Sequence, residues 1–325
     1  MEFMSSGRLG RTFRVLTFWG LVVLLSLRAP ARDEAVVPAP VTAGAEAQTP
    51  AQRIMQRLRD ADGKAVLVCA HRADWRHFPE NSLEGIDGAI KMGVDIVEID
   101  VRKTRDGELV LMHDATVNRT TTGQGAVSAL TLAEIKKLRL KDAAGQVTAY
   151  TVPTLEEAML AAKGRVAVNL DKGPGIFANI HPVLKRTDTL GQVILGAPLG
   201  LAQMRAAVGP SLDDVVAMPF LNVARKDVQD HLPKPSDERK PVILQFDFSA
   251  ADHPMLKEFR AMRKNGSRVW ANAMDAQKCA GHGDSSALKD PDANYGWLVS
   301  LGVNVIQTDQ PEFLLRYLRE KGLHE

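Results

Sequence analysis

From residue 65 onward the chain alternates short apolar runs with stretches of helical periodicity. Nine runs are rich in β-branched and aliphatic residues: 65–71 (AVLVCAH), 95–104 (DIVEIDVRKT), 108–114 (ELVLMHD), 165–172 (RVAVNLDK), 192–197, 215–221, 242–248, 268–273 and 303–309. Helical patterns separate most of them, at 81–92, 154–163, 176–187, 199–208, 223–231, 253–264 and 311–321. Apolar strands alternating with helices belong to a parallel sheet covered by helices. Nine strands exceed an eight-stranded barrel by one. A parallel crossover needs about a dozen residues or more, and Asp106-Gly107 is a tight-turn signal, so 95–104 and 108–114 are expected to form an antiparallel hairpin. Eight parallel strands remain, and the predicted fold is α/β: a TIM (β/α)8 barrel with a β-hairpin extension after the second strand.

The hairpin brings chemistry with it. A two-residue loop sets Arg105 against Glu108 and His113 opposite Asp100. Glu98 and Asp100 share one face of their strand because side chains alternate. In such barrels the carboxyl ends of the strands carry the reaction, and His71 ends the first strand at that rim. Two inward acids in an apolar strand need compensation. A hard divalent cation, Ca²⁺ or Mg²⁺, supplies it through carboxylate oxygens; a salt bridge to Arg72, Arg102 or Lys172 is the other solution. Asp171, with Asn169 on the same face, is the candidate third ligand, or else a helix cap or lysine partner. Lys172 follows it and can face an anion. His71 and His113 are the general acid/base candidates, since imidazole titrates near neutrality, and Arg72 offers a planar fork matched to phosphate. Glu80 is open between orienting Arg72 or His71 and joining the metal shell. Ser82 or Asn81 can be the helix N-cap, and that is the preferred reading of Asn81.

The ends and the composition set limits. Arg8, Arg11 and Arg14 precede an apolar run of thirteen residues, 15–27, followed by small-residue sites at 29–31 and 43–45. This reads as a secretory signal peptide over 1–31, with the opening MEFM as an artificial addition ahead of Met4. Thirteen residues fall short of the ~20 needed to span a bilayer, so no stable membrane insertion is expected after cleavage, and the location is expected to be periplasmic or secreted. Residues 32–50, rich in Ala, Pro and Thr, read as a flexible linker, leaving 51–325 as the barrel domain. A net charge of +2 without basic runs argues against nucleic acid. Cys69 reads as a buried hydrophobe, and whether it pairs with Cys279 stays open. The Gly-rich TTTGQG at 120–125 does not follow a strand as dinucleotide binding requires. His282 and Asp284 read as a solvated loop, with contact to substrate as the alternative.

The motifs resemble those of one family. HRADWRHFPENSLEGI (71–86) is similar to the His-Arg-Gly…Pro-Glu-Asn-Thr signature of the glycerophosphodiester phosphodiesterases. GVDIVEIDVRKTRDGELVLMHDATVNRTTTGQG (93–125) resembles their Glu-x-Asp-Val…Thr-x-Asp-Gly…His-Asp…Arg-Thr-Thr signature, VWANAMD (269–275) their Trp-Thr-Val-Asn strand, and VIQTDQP (305–311) their closing Thr-Asp-x-Pro. The resemblance implies a metal-dependent barrel that cleaves a small-molecule glycerophosphodiester to glycerol 3-phosphate and an alcohol. It implies His71 and His113 as the acid/base pair, Glu98 and Asp100 as metal ligands, Arg72 as a phosphate contact and Trp270 as pocket lining. Two departures stand out. Ala73 replaces the glycine after His-Arg, and the family's Glu-x-Lys becomes Asn169-Leu170-Asp171-Lys172, which sets acid and lysine on opposite faces of a regular strand. The alternatives are a phospholipase C- or D-like activity on a lipid or inositol phosphodiester, and a non-catalytic exported binding protein.

Overall fold

A helix that periodicity had not flagged, Pro50–Arg59, opens the fold. Its start is well specified: Pro50 occupies the first turn, and Thr49 and Gln52 form a reciprocal capping box. Ile54, Met55 and Leu58 lie on its inner face and plug one end of the barrel. The computed structural model describes residues 47–233 and 240–325; the expected signal peptide and all but the last residues of the expected linker lie outside the described residues.

The strands are β1 Leu67–Ala70, β2 Ile96–Lys103, β3 Leu109–Leu111, β4 Arg139–Lys141, β5 Val147–Thr151, β6 Ala167–Asp171, β7 Val193–Ala197, β8 Val216–Asn222, β9 Ile243–Asp247, β10 Arg268–Asn272 and β11 Val305–Thr308. Among the described residues, eight of them run parallel in the order β1, β2, β6, β7, β8, β9, β10, β11, and β1 pairs with both β11 and β2 to close the ring. This is the expected TIM barrel. Its outer core lies between the strands and the surrounding helices.

Inside the ring, residue character changes with height. Ile96, Ala167, Ile243, Trp270 and Val305 pack on the plugging helix. Two residues further along the same strands stand Glu98, Asn169, Gln245, Asn272 and Gln307, all lining a cavity at the opposite end. Strand alternation therefore stacks a polar layer on an apolar floor. Trp270 belongs to the floor, fully buried, with its indole N–H donating to Asn272 Oδ1 at 2.8 Å. The expectation that it lines the pocket is corrected: it supports Asn272, which does.

β3 pairs antiparallel with β2, but one residue out of the expected register. Val101 faces Leu111 and Lys103 faces Leu109, so the loop is Arg105-Asp106-Gly107, with Gly107 at φ +87°. The Asp106 carboxylate accepts from Thr104 Oγ1 and from Leu132 N–H, which holds the wider loop. Met112, not His113, stands opposite Asp100. Residues 115–153 carry no expected element, yet they form a small lobe with a short helix, Leu132–Ile135, the β4–β5 hairpin and their own core around Val117, Val127, Ile135, Leu140 and Val152. The expected helix at 223–231 is only the single turn Val228–His231, and 253–264 divides into a 3₁₀ turn, Pro254–Glu258, and the helix Phe259–Lys264. Cys69 and Cys279 are both free and buried. No helix of the described residues is long and apolar enough to cross a membrane.

Arg268 ties the plugging helix to the barrel. Its buried guanidinium donates to the carbonyls of Arg57, Leu58 and Asp60 at the helix end, and to those of Ala65 and Asn304. Burial pulls its pKa down only to about 10, so it remains a cation over the negative end of the helix dipole. Arg268→Met is expected to lower stability by about 3 kcal/mol or more, read as a fall in urea midpoint; a midpoint within error of wild type would remove this role.

Candidate active site

The turn after β1 places His71 and Arg72. Arg72 and Ala73 both adopt left-handed backbone, at φ 51° and 64°. Such angles cost an L-residue roughly 1–2 kcal/mol each, and here they aim Arg72 N–H at Glu98 Oε2, 2.8 Å away. Ala73 thus holds the conformation its glycine counterpart would take freely. His71 Nδ1 sits 2.8 Å from Asp309 Oδ1, which leaves Nε2 facing Glu98 at 4.0 Å. Asp309 also accepts from the Trp75 indole. Burial pushes its carboxyl up, but the His71 and Trp75 bonds outweigh this and hold it below the ordinary range.

His113 arrives beyond the end of β3. Arg102 donates twice to its carbonyl, and its Nδ1 sits 2.8 Å from Asp114 Oδ1. The Arg119 guanidinium, then His113, keep Asp114 well below the usual carboxylate range. Each histidine thus has a carboxylate on one ring nitrogen and its other ring nitrogen left for chemistry.

Register builds the acid cluster. β2 and β6 pair with Glu98 beside Asn169 and Asp100 beside Asp171. Oxygens of Glu98, Asp100 and Asp171 lie within 4.8 Å of one another. Burial, then the charges of Asp100 and Asp171, push the Glu98 carboxyl well above its ordinary value. Lys172 answers part of this charge: its Nζ bonds Asp100, and Asp171 Oδ2 at 3.0 Å. That contact, impossible on a regular strand, follows from φ 61° at Lys172, which turns the side chain back. Lys172 therefore spends its ammonium on the acids. The buried Asn169 Oδ1 has no hydrogen-bond partner among the described residues, and Asn169 lines the same cavity. Three carboxylates and a free amide oxygen fit a hard divalent cation.

His71, Arg72, Glu98, Asp100, His113 and Asp171 line one cavity of about 450 Å³. Glu80 is outside the acid cluster, held by Arg72 and by both terminal nitrogens of Arg119. Asn81 is not the helix cap; Ser82 is, accepting from Gly85 N–H. Asn81, at φ 59°, instead bonds Asp100 twice, through the carboxylate and the backbone N–H. Asp284 is no loop residue either: it is buried, bonded by Tyr295, Thr308 and the backbone N–H of Asp309, whereas His282 stacks on Trp297.

Sequence reasoning missed Asp309 and Asp247, and a signal for both was present. Four barrel strands carry, where they reach the cavity, a polar residue, one intervening residue and Asp: Glu98-Ile99-Asp100, Asn169-Leu170-Asp171, Gln245-Phe246-Asp247 and Gln307-Thr308-Asp309. Period two puts each pair on the cavity wall. Burial raises the Asp247 carboxyl above its ordinary value.

Residues 71–187 match the glycerophosphoryl diester phosphodiesterase family, and residues 217–318 match a domain of unknown function. Over 112 residues the chain is 43% identical to the glycerophosphodiester phosphodiesterase of Caldanaerobacter subterraneus subsp. tengcongensis; the match covers 34% of this chain and 46%, under half, of that relative. Two solved structures share the fold. A glycerophosphoryl diester phosphodiesterase from Parabacteroides distasonis aligns with TM-score 0.67 at 23% identity, covering 84% of this chain and 93% of that one. An Oleispira antarctica phosphodiesterase, solved with the product sn-glycerol-3-phosphate, aligns with TM-score 0.59 at 23% identity, covering 80% and 99%.

Proposed function

We propose, because this chain belongs to the glycerophosphoryl diester phosphodiesterase family, that it hydrolyses glycerophosphodiesters to glycerol 3-phosphate and an alcohol. The observation that carries this reading is the pair of carboxylate-backed histidines, His71 and His113, on the wall of the cavity that holds Glu98, Asp100 and Asp171. One histidine takes a proton from the attacking oxygen, whether of water or of the substrate's own glycerol hydroxyl, and the other returns a proton to the leaving alcohol. Arg72 orients the phosphate: its side chain lines the cavity beside the acid cluster, with Nη1 held by Glu80 and Nε 3.8 Å from Asp100 Oδ2, and it presents a planar cationic fork suited to phosphoryl oxygens. Glu98, Asp100 and Asp171 would hold a divalent cation, Ca²⁺ or Mg²⁺, which when bound neutralises phosphoryl charge. Asn81 keeps Asp100 in place, and Glu80 positions Arg72 and Arg119. The basic and apolar segment ahead of the barrel supports work outside the cytoplasm.

A panel of glycerophosphodiesters and intact phospholipids, each with and without chelator, tests the reading. Glycerol 3-phosphate is expected from the soluble diesters, falling at least ~100-fold on chelation and returning with added Ca²⁺ or Mg²⁺. Release from intact lipid alone would transfer the chain to phospholipase-like chemistry. Ligand binding without any turnover would make it a binding protein.

A further inference from the structure

A second cavity, of about 370 Å³, shares His71, Arg72 and Asp309 with the first and extends away from the acid cluster. Its far wall is the turn of the β4–β5 hairpin, from Lys141 through Gly145, and its near wall is Trp75. The two cavities therefore diverge from the place where a phosphodiester would be cut. One contains the acid cluster and the polar layer of the barrel; the other is walled by the inserted lobe.

Most of the charged side chains around the second cavity are held by neighbouring groups. Glu80 is held by Arg72 and Arg119, and Asp309 Oδ1 by His71 and Trp75. Asp142 turns its Oδ1 into its own turn, toward the N–H groups of Ala144 and Gln146. One face of Trp75 carries the Arg76 guanidinium, 4.4 Å from the ring centroid, which disfavours a second cation there. Lys141, half-buried, is held through its backbone N–H to Thr120. Its ammonium has no ion-pair or hydrogen-bond partner among the described residues, whereas Arg72 and Arg119 are both held by Glu80, so Lys141 is the cation on this wall, beside Asp142, that no carboxylate holds.

We infer that this second cavity receives the leaving alcohol, and that Lys141 selects alcohols bearing an anionic substituent over cationic ones such as choline. The inference rests on the hydrolase reading above and extends it to the substrate's other half.

The test uses the full chain and three substrates: glycerophosphoinositol 4-phosphate, glycerophosphoinositol and glycerophosphocholine. The first two differ only by the added phosphate. Wild type is expected to favour the phosphorylated ring by about fivefold in kcat/KM, the worth of one exposed charge pair. Lys141→Gln should abolish that ratio through KM, and Lys141→Glu should invert it. High salt should flatten the wild-type ratio as well. Equal losses on all three substrates, or an unchanged ratio in both variants, would overturn the subsite while leaving the hydrolase reading intact. No turnover of any of the three by wild type would overturn both.

Discussion

His71→Ala and His113→Ala are each expected to reduce turnover by about 10²–10⁴-fold, the usual share of a positioned proton-transfer group, while the fold survives. Neither ring belongs to a hydrophobic cluster, and removing either leaves its carboxylate paired: Asp309 keeps the Trp75 indole, and Asp114 keeps Arg119. The loss should therefore fall on kcat, with the thermal midpoint within a few degrees of wild type. Asp309→Asn separates positioning from chemistry. It preserves the size of the partner but removes the negative charge that fixes which His71 nitrogen carries the proton. Its kcat should drop with little change in KM, and the acidic limb of its pH–rate profile should move relative to wild type. Turnover near wild type in either alanine variant would sink the acid/base assignment, and an unmoved profile in Asp309→Asn would reduce Asp309 to a packing role.

The barrel was legible because its strands are mostly apolar and its helices periodic, so an eight-plus-one count could be read from residues 65 to 309. The acid pair Glu98 and Asp100 was legible for the same reason: charge inside an apolar strand demands an explanation. What stayed hidden depended on geometry that periodicity does not encode. The register of the β2–β3 hairpin turned on the Asp106 side chain, which holds a three-residue loop by reaching the inserted lobe. The return of Lys172 to Asp100 required one positive φ. The part played by Asn81 required another, because at φ 59° it leaves the helix start and turns to Asp100. Sequence-level rules failed at residues in left-handed backbone around the site, where strain is held by function-bearing contacts. The inserted lobe was missed for a different reason. Its strands are short and half-exposed, so they carry no buried run to recognise.

Glu98→Gln is expected to abolish activity and at the same time to stabilise the cation-free protein. Burial and two neighbouring carboxylates raise the folded pKa of Glu98 above its unfolded value. The folded state then binds more protons, so the stability this group contributes is complete below the ordinary carboxylate range and is lost as pH rises through its raised pKa. Without a divalent cation, wild type should therefore melt at lower temperature as pH climbs toward neutrality and above. Glutamine keeps an oxygen for Arg72 N–H but carries no charge to desolvate, so the variant's melting curve should flatten across the same window. A saturating divalent cation is expected to reverse the wild-type trend by binding only the folded state, adding about 2.7 kcal/mol at a hundredfold excess over Kd. The same addition should leave Glu98→Gln nearly unmoved, because one of the three carboxylates is gone. Activity should fall by more than ~100-fold. Opposite signs in stability and turnover mark a cluster kept for what it binds rather than for what it contributes to folding. A wild-type midpoint that rises with pH in chelator, or a cation-induced shift of full size in Glu98→Gln, would remove Glu98 from the cation site.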